Sequence, residues 1–234
     1  MKIINIILSL YFITKGTVIL SNNLQEGNID KNCCYIYLVR HGQTDWNRLR
    51  KLQGHADIPL NSVGKLQASD LSMRLKPIKF NAIYSSQLIR AYETAEILNC
   101  NNIDIITIDN LKERNLGNWE GCAIDLAHNK EKEMGISNMN QHEFINYKLD
   151  ESTESLSEVF NRLNNFIQDI KSKHLGQTIL LSSHSAVLNS VLCNLNFEDG
   201  FRWSSDNCAF LVLKVDDSGN IVIIEQEKVK LVKL

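Results

Sequence analysis

The sequence predicts an α/β protein, a three-layer α/β/α sandwich around a mostly parallel central sheet. Three observations predict it. Short apolar runs rich in Ile, Val and Tyr alternate with segments of helical periodicity, the pattern of strands joined by crossover helices. Two of those runs stop abruptly at polar, histidine-bearing ends, Leu38-Val39-Arg40-His41 and Leu181-Ser182-Ser183-His184. A chain of 234 residues, 44% apolar and 22% charged, is long enough to bury one sizeable core.

The elements follow in order. Residues 1–34 stand apart from a domain at 35–234. Lys2 and the apolar run 3–13 resemble a signal core, interrupted by Asn5 and Ser9 and short for a membrane span. The expected location is cytoplasmic, or secretory or organellar if residues 1–21 act as a signal. Membrane contact is expected only if that segment is an anchor. Residues 14–34 read as a polar arm.

The first strand is expected at Tyr35–Val39, where Tyr, Ile and Val suit a buried pleat. A helix over 62–75 carries Val63, Leu66, Leu71 and Leu75 as its apolar stripe, and Pro77 closes it. Phe80–Tyr84 is a second strand, and Ser85-Ser86 are placed to cap a helix from Gln87 to Leu98. Ile103–Ile108 is a third strand, residues 111–121 a loop, and 122–150 a set of short helices. Leu156, Val159, Phe160, Leu163, Phe166, Ile167 and Ile170 share one helical face, with Gly176 as the stop. Thr178–Ser182 is a strand, 186–194 a helix, and Ala209–Val215 and Ile221–Glu225 a final pair of strands around an Asp216–Gly219 turn. The basic tail 228–234 alternates and suits an edge strand or a disordered end.

Net charge is −2 with no basic run, which argues against nucleic acid as a partner, so any anion site must be local. The six cysteines show neither C-x-x-C nor zinc-ligand spacing and read as reduced thiols. A homodimer stays open.

In a parallel sheet, ligands bind beyond the carboxyl ends of the strands. Arg40 and His41, the Ser85-Ser86 turn leading to Arg90, and His184 all fall there. Taken singly, each has a structural explanation. Together, two arginines, two histidines and a helix N-terminus form an anion site suited to a phosphate ester. A central histidine can attack phosphorus while arginines hold the equatorial oxygens, a scheme that needs no metal and no cofactor.

Five ordered blocks sharpen this. They are Arg40-His41-Gly42-Gln43-Thr44-Asp45-Trp46-Asn47, residues 52–61 (LQGHADIPLN), residues 84–95 from Tyr84-Ser85-Ser86 through Arg90-Ala91 to Thr94-Ala95, residues 113–121 (ERNLGNWEG), and Ser183-His184. Over about residues 35–215 the chain resembles the histidine phosphatase, or phosphoglycerate mutase-like, superfamily.

The resemblance implies roles. His41 is the nucleophile; Arg40, Arg90 and His184 form the phosphate pocket; Glu113 is the proton donor. Asn47, Gln53 and Gly54 contact substrate, and Ser185 stands where the family more often has Gly. The acid phosphatases of the superfamily carry an Asp directly after the second His. Here that residue is Ser185, which leaves the donor role to Glu113. The 71 residues from Glu113 to His184 resemble the short phosphatases more than the mutases. The implied activity is hydrolysis of a small phosphorylated metabolite through a phosphohistidine. A cofactor-dependent phosphoglycerate mutase and a non-catalytic phosphate-binding module remain as alternatives.

Overall fold

The computed structural model describes residues 29–234. The signal-like run therefore lies outside the described residues. The elements are β1 (Cys33–Arg40), α1 (Asp45–Arg48), α2 (Ser62–Leu75), β2 (Ala82–Ser85), α3 (Ile89–Leu98), β3 (Ile105–Thr107), α4 (Ile124–Glu133), α5 (Gln141–Asn146), α6 (Leu156–Ile170), β4 (Thr178–Ser183), α7 (Ser185–Leu195), β5 (Phe201–Asp216) and β6 (Ile221–Lys233). They form a six-stranded sheet of order β3-β2-β4-β1-β5-β6. The first four strands in that order run parallel; β5 pairs antiparallel with β1, and β6 antiparallel with β5.

β1 sits between β4 and β5, and both of its faces are covered, which is why it reads as an unbroken apolar run. Its alternate residues separate two cores. Tyr35, Tyr37 and Val39 pack with Ala68, Leu71 and Leu75 of α2 and Ala95 and Leu98 of α3. Ile36 and Leu38 pack with α6 and α7 through Val159, Leu163, Ile167, Leu188 and Val191. The three-layer sandwich follows from that division. Among the described residues, no helix is long and apolar enough to cross a membrane.

Several boundaries and faces differ from the sequence reading, each for a local reason. Val63 and Leu66 of α2 are exposed, and the buried face is Gly64, Ala68, Leu71 and Leu75. Gly64 belongs to that face because it meets Gln43 and Gly42 backbone to backbone; a Cβ on either glycine would overlap the other segment. The cap of α3 is not a serine. Leu88 is its N-cap without a side-chain bond, Ser86 Oγ accepts from Leu88 N, and Asp57 Oδ1 accepts the Ile89 N–H at 2.7 Å.

α6 ends at Ile170, ahead of Gly176, and a 3₁₀ turn at Lys171–Lys173 fills the interval. β5 and β6 are far longer than their apolar cores suggest. Backbone pairing extends Phe201–Ser205 against Val229–Lys233, so the basic tail is an edge strand. A register shift between Ser205 and Phe210 interrupts β5, with Cys208 at a positive φ of 56°.

Candidate active site

β1 and β4 pair in parallel with Arg40 opposite Ser183. The next residue on each strand is a histidine, so the register sets His41 beside His184, ring centroids 5.2 Å apart. Both side chains are buried. His41 Nδ1 lies 2.6 Å from the Gly42 carbonyl. A carbonyl only accepts, so Nδ1 carries the hydrogen and Nε2 keeps its lone pair. Burial, reinforced by the charges of Arg90 and Arg40, holds the His41 pKa well below 6.5. The same causes, burial first and Arg90 next, depress His184. Both rings are neutral at pH 7, and a neutral imidazole is the nucleophilic form.

Two guanidinium groups flank them. Arg90, in the first turn of α3, is fully buried, and burial brings its pKa down to about 10, so it remains a cation at neutral pH. Its Nη1 and Nη2 donate to the carbonyls of Ala56 and Gly54, each at 2.8 Å, while its Nε has no partner. Arg40 donates through Nη1 to the Ser205 carbonyl, and its buried Nε is also unpartnered. Both ring nitrogens of His184 lack partners as well. Buried polar atoms are normally satisfied, so this group of orphans around one histidine can take an anionic acceptor.

A cleft of about 420 Å³ opens at this rim. Of the residues singled out in the sequence, Arg40, His41, Asn47, Gln53, Gly54, Glu113 and Ser185 line it. Arg90 and His184 do not; each is fully buried behind the lining. Asn47 closes a capping box with Thr44 at the start of α1. Gln53 accepts from Thr44 Oγ1 at 2.9 Å. Gly54 has a φ of 51°, and a side chain there would run into the Glu120 carboxylate. Ser185 Oγ pairs with Ser205 Oγ at 3.0 Å.

Glu113 comes from the loop after β3. Its Oε1 accepts from its neighbour's N–H, Arg114 N at 2.9 Å, and from Ala186 N at 3.0 Å, in the first turn of α7. Its backbone is anchored by Arg162, which carries no sequence signal, and by His55 and Ser183 of the recognised blocks. The Glu113 carbonyl accepts from Arg162 Nη2 at 2.9 Å and lies 2.8 Å from His55 Nε2. Ser183 Oγ holds the Leu111 carbonyl two residues earlier, at 2.7 Å. Asn207, in the irregular stretch of β5, donates to the His41 carbonyl at 3.2 Å and to Asn47 Oδ1 at 3.3 Å. Arg162 and Asn207 were missed because an isolated Arg or Asn has no recognisable spacing; an Asn just ahead of an apolar run was the available hint.

This rim of two buried imidazoles, two guanidinium groups and one carboxylate can be compared with known proteins. The family model described as histidine phosphatase superfamily, branch 1, matches residues 36–225. The chain belongs to that superfamily. Among its histidine phosphatase relatives, phosphoglycerate mutase-like protein 4 of Arabidopsis thaliana is 34% identical over 165 residues, 69% of this chain and 71% of the relative. Phosphoserine phosphatase 1 of Hydrogenobacter thermophilus is 30% identical over 195 residues, 80% of this chain and 90% of the relative. Among solved structures, the phosphoserine phosphatase of Entamoeba histolytica in complex with 3-phosphoglyceric acid superposes with a TM-score of 0.66 at 26% identity, covering 83% of this chain and 96% of that one.

Proposed function

We propose that this histidine phosphatase hydrolyses a small phosphorylated metabolite, with His41 as the phosphoryl acceptor. The observation that carries the reading is the set of unpartnered buried donors on Arg40, Arg90 and His184 around an imidazole whose free nitrogen is Nε2. A phosphoryl group supplies the acceptors they lack. The relatives named as phosphatases support hydrolysis as the outcome.

The reaction runs in two displacements. His41 Nε2 attacks phosphorus as the ester P–O bond breaks, and Glu113 gives its proton to the departing oxygen. Arg40, Arg90 and His184 hold the equatorial oxygens as charge builds on them. Water then attacks the phosphohistidine and loses a proton to the Glu113 carboxylate. The P–N bond breaks, and inorganic phosphate leaves with His41 neutral again. Ser185, Asn47, Gln53 and Gly54 shape the substrate pocket.

The test is rapid-quench trapping of labelled phosphoenzyme beside steady-state phosphate release. His41→Ala is expected to abolish the trapped species and lower turnover at least about 10³-fold. Turnover near wild type in that variant would sink the mechanism. Glu113→Gln is expected to slow alkyl phosphates by about 10²–10⁴-fold and activated aryl phosphates much less, because a phenolate leaves with little protonation. Equal losses on both remove Glu113 from the acid role. Transfer of label to a second substrate molecule, rather than to water, would identify a mutase.

A further inference from the structure

The cleft has two parts by origin. The strand ends supply the charged set just described. The segment after α1, the segment from Leu116 to Leu156, α7 and the start of β5 supply the rest, with Leu116, Phe144, Tyr147, Leu156 and Trp203 on the lining.

Cations are also present in this second part: Arg202 and Arg50 are paired with carboxylates, whereas Arg114 and Lys51 meet carbonyls or an aromatic ring and keep their charge. Arg202 Nη1 pairs with Glu131 Oε2 at 3.0 Å, and its Nη2 donates to His128 Nε2 at 3.0 Å. The other carboxylate oxygen of Glu131 accepts from the Tyr147 hydroxyl at 2.7 Å. Both side chains are substantially buried, Glu131 12% exposed and Arg202 30%. His128 must be neutral to accept from a guanidinium. Burial first, then Arg202, keeps its pKa below the usual value.

Arg114 donates to the carbonyls of Glu154 and Tyr147 and lies 5.2 Å from the Tyr147 ring centroid. At the exposed rim, Arg50 is paired with Asp125, and Lys51 rests 5.7 Å over Trp46. The buried polar atom left without a partner in this part is Asn189 Oδ1, an acceptor.

Resting on the phosphatase reading, we propose that this wall selects phosphomonoesters whose leaving group is uncharged and predominantly apolar, and that Glu131 sets the preference by neutralising Arg202. A leaving group bearing a carboxylate or a second phosphate would face Glu131 at short range. It would otherwise have to break a half-buried ion pair and leave one charge uncompensated. An apolar group replaces water against Leu116, Phe144, Leu156 and Trp203 at no such cost. One O–H or N–H on it satisfies Asn189. The preference differs from that suggested by the Entamoeba complex, whose ligand, 3-phosphoglyceric acid, carries a carboxylate.

A matched substrate pair tests it. Phenyl phosphate and 4-carboxyphenyl phosphate share a ring and differ by one charge; 3-phosphoglycerate is run beside them. Wild-type kcat/KM is expected to favour phenyl phosphate by at least about tenfold. Glu131→Gln keeps the side chain's shape and frees Arg202, and is expected to move the kcat/KM ratio about tenfold toward the carboxylated ester.

Arg202→Met leaves Glu131 unpaired and is expected to move the ratio the other way, which keeps the test decisive if one variant fails to fold. A wild type preferring either carboxylated substrate overturns the proposal. So does a ratio unmoved in a folded variant. Absence of hydrolysis of every ester by wild type would instead overturn the phosphatase reading beneath it.

Discussion

His41 and His184 are neutral in the folded protein because each is buried beside fixed positive charge. In the unfolded chain each titrates at its ordinary 6.5. Below that pH the unfolded chain binds protons that the native site refuses, so stability falls as pH drops. The loss is up to about 1.4 kcal/mol per pH unit for each ring, until the depressed native values are reached. Urea unfolding between pH 7.5 and 5.5, in buffer free of phosphate, should show that slope, and His184→Gln should reduce it. A flat wild-type profile from 6.5 to 5.5 would mean that the rings are not held neutral. At this scale the sequence was informative because strand ends and block order placed His41, Arg40, Arg90, Glu113 and His184 on one rim. It was silent on burial depth. Nothing local to Arg90 shows that its guanidinium will be tied to the Gly54 and Ala56 carbonyls.

Elements explain what holds those residues. The irregular stretch of β5 between Ser205 and Phe210 contacts the rim through the Ser205 carbonyl to Arg40, Ser205 Oγ to Ser185, the Asn207 amide to His41 and Asn47, and the Cys208 N–H to the His41 carbonyl. Asn207→Asp keeps the shape and replaces the donor with an acceptor facing two oxygens. It is expected to lower kcat about 10-fold or more with little change in KM, the loss of a charge-neutral hydrogen bond compounded by repulsion. Asn207→His, which restores a donor, should recover part of it. Equal activity of Asp and Asn enzymes would reduce the contact to packing.

This stretch was illegible for a physical reason. A bulge breaks the two-residue alternation by which strands are read, so β5 seemed to begin at Ala209. The α2 face was misread similarly. Gly64 and Ala68 are buried by close backbone approach, which hydrophobicity does not register, whereas Leu66 is 70% exposed. The α3 cap comes from Asp57, a residue distant in sequence.

Among the described residues, the two larger cores lie on opposite faces of one sheet, with two smaller apolar clusters beside them. Leu71 belongs to the α2–α3 side and Leu163 to the α6–α7 side, both fully buried. Leu71→Ala and Leu163→Ala should each cost about 2–5 kcal/mol in chemical unfolding. The double variant should match the sum within about 0.5 kcal/mol, since the sites share no partner. A large shortfall would show that the layers relax together. The layered plan was legible because each layer has its own periodicity. The antiparallel extension of β5 and β6 was not, because backbone pairing rather than side-chain pattern carries the first five residues of β5.

The central place of β1 has a consequence for biosynthesis. The strand that ends beside His41 is the first of the described strands to leave the ribosome, yet its neighbours β4 and β5 lie at residues 178–183 and 201–216. Until they emerge, an unbroken apolar strand has both edges open. Such long sequence separations slow folding and expose aggregation-prone edges. A nascent chain arrested before residue 178 should therefore need chaperone protection in proportion to the time β1 waits, and the rim that pairs His41 with His184 cannot form on it.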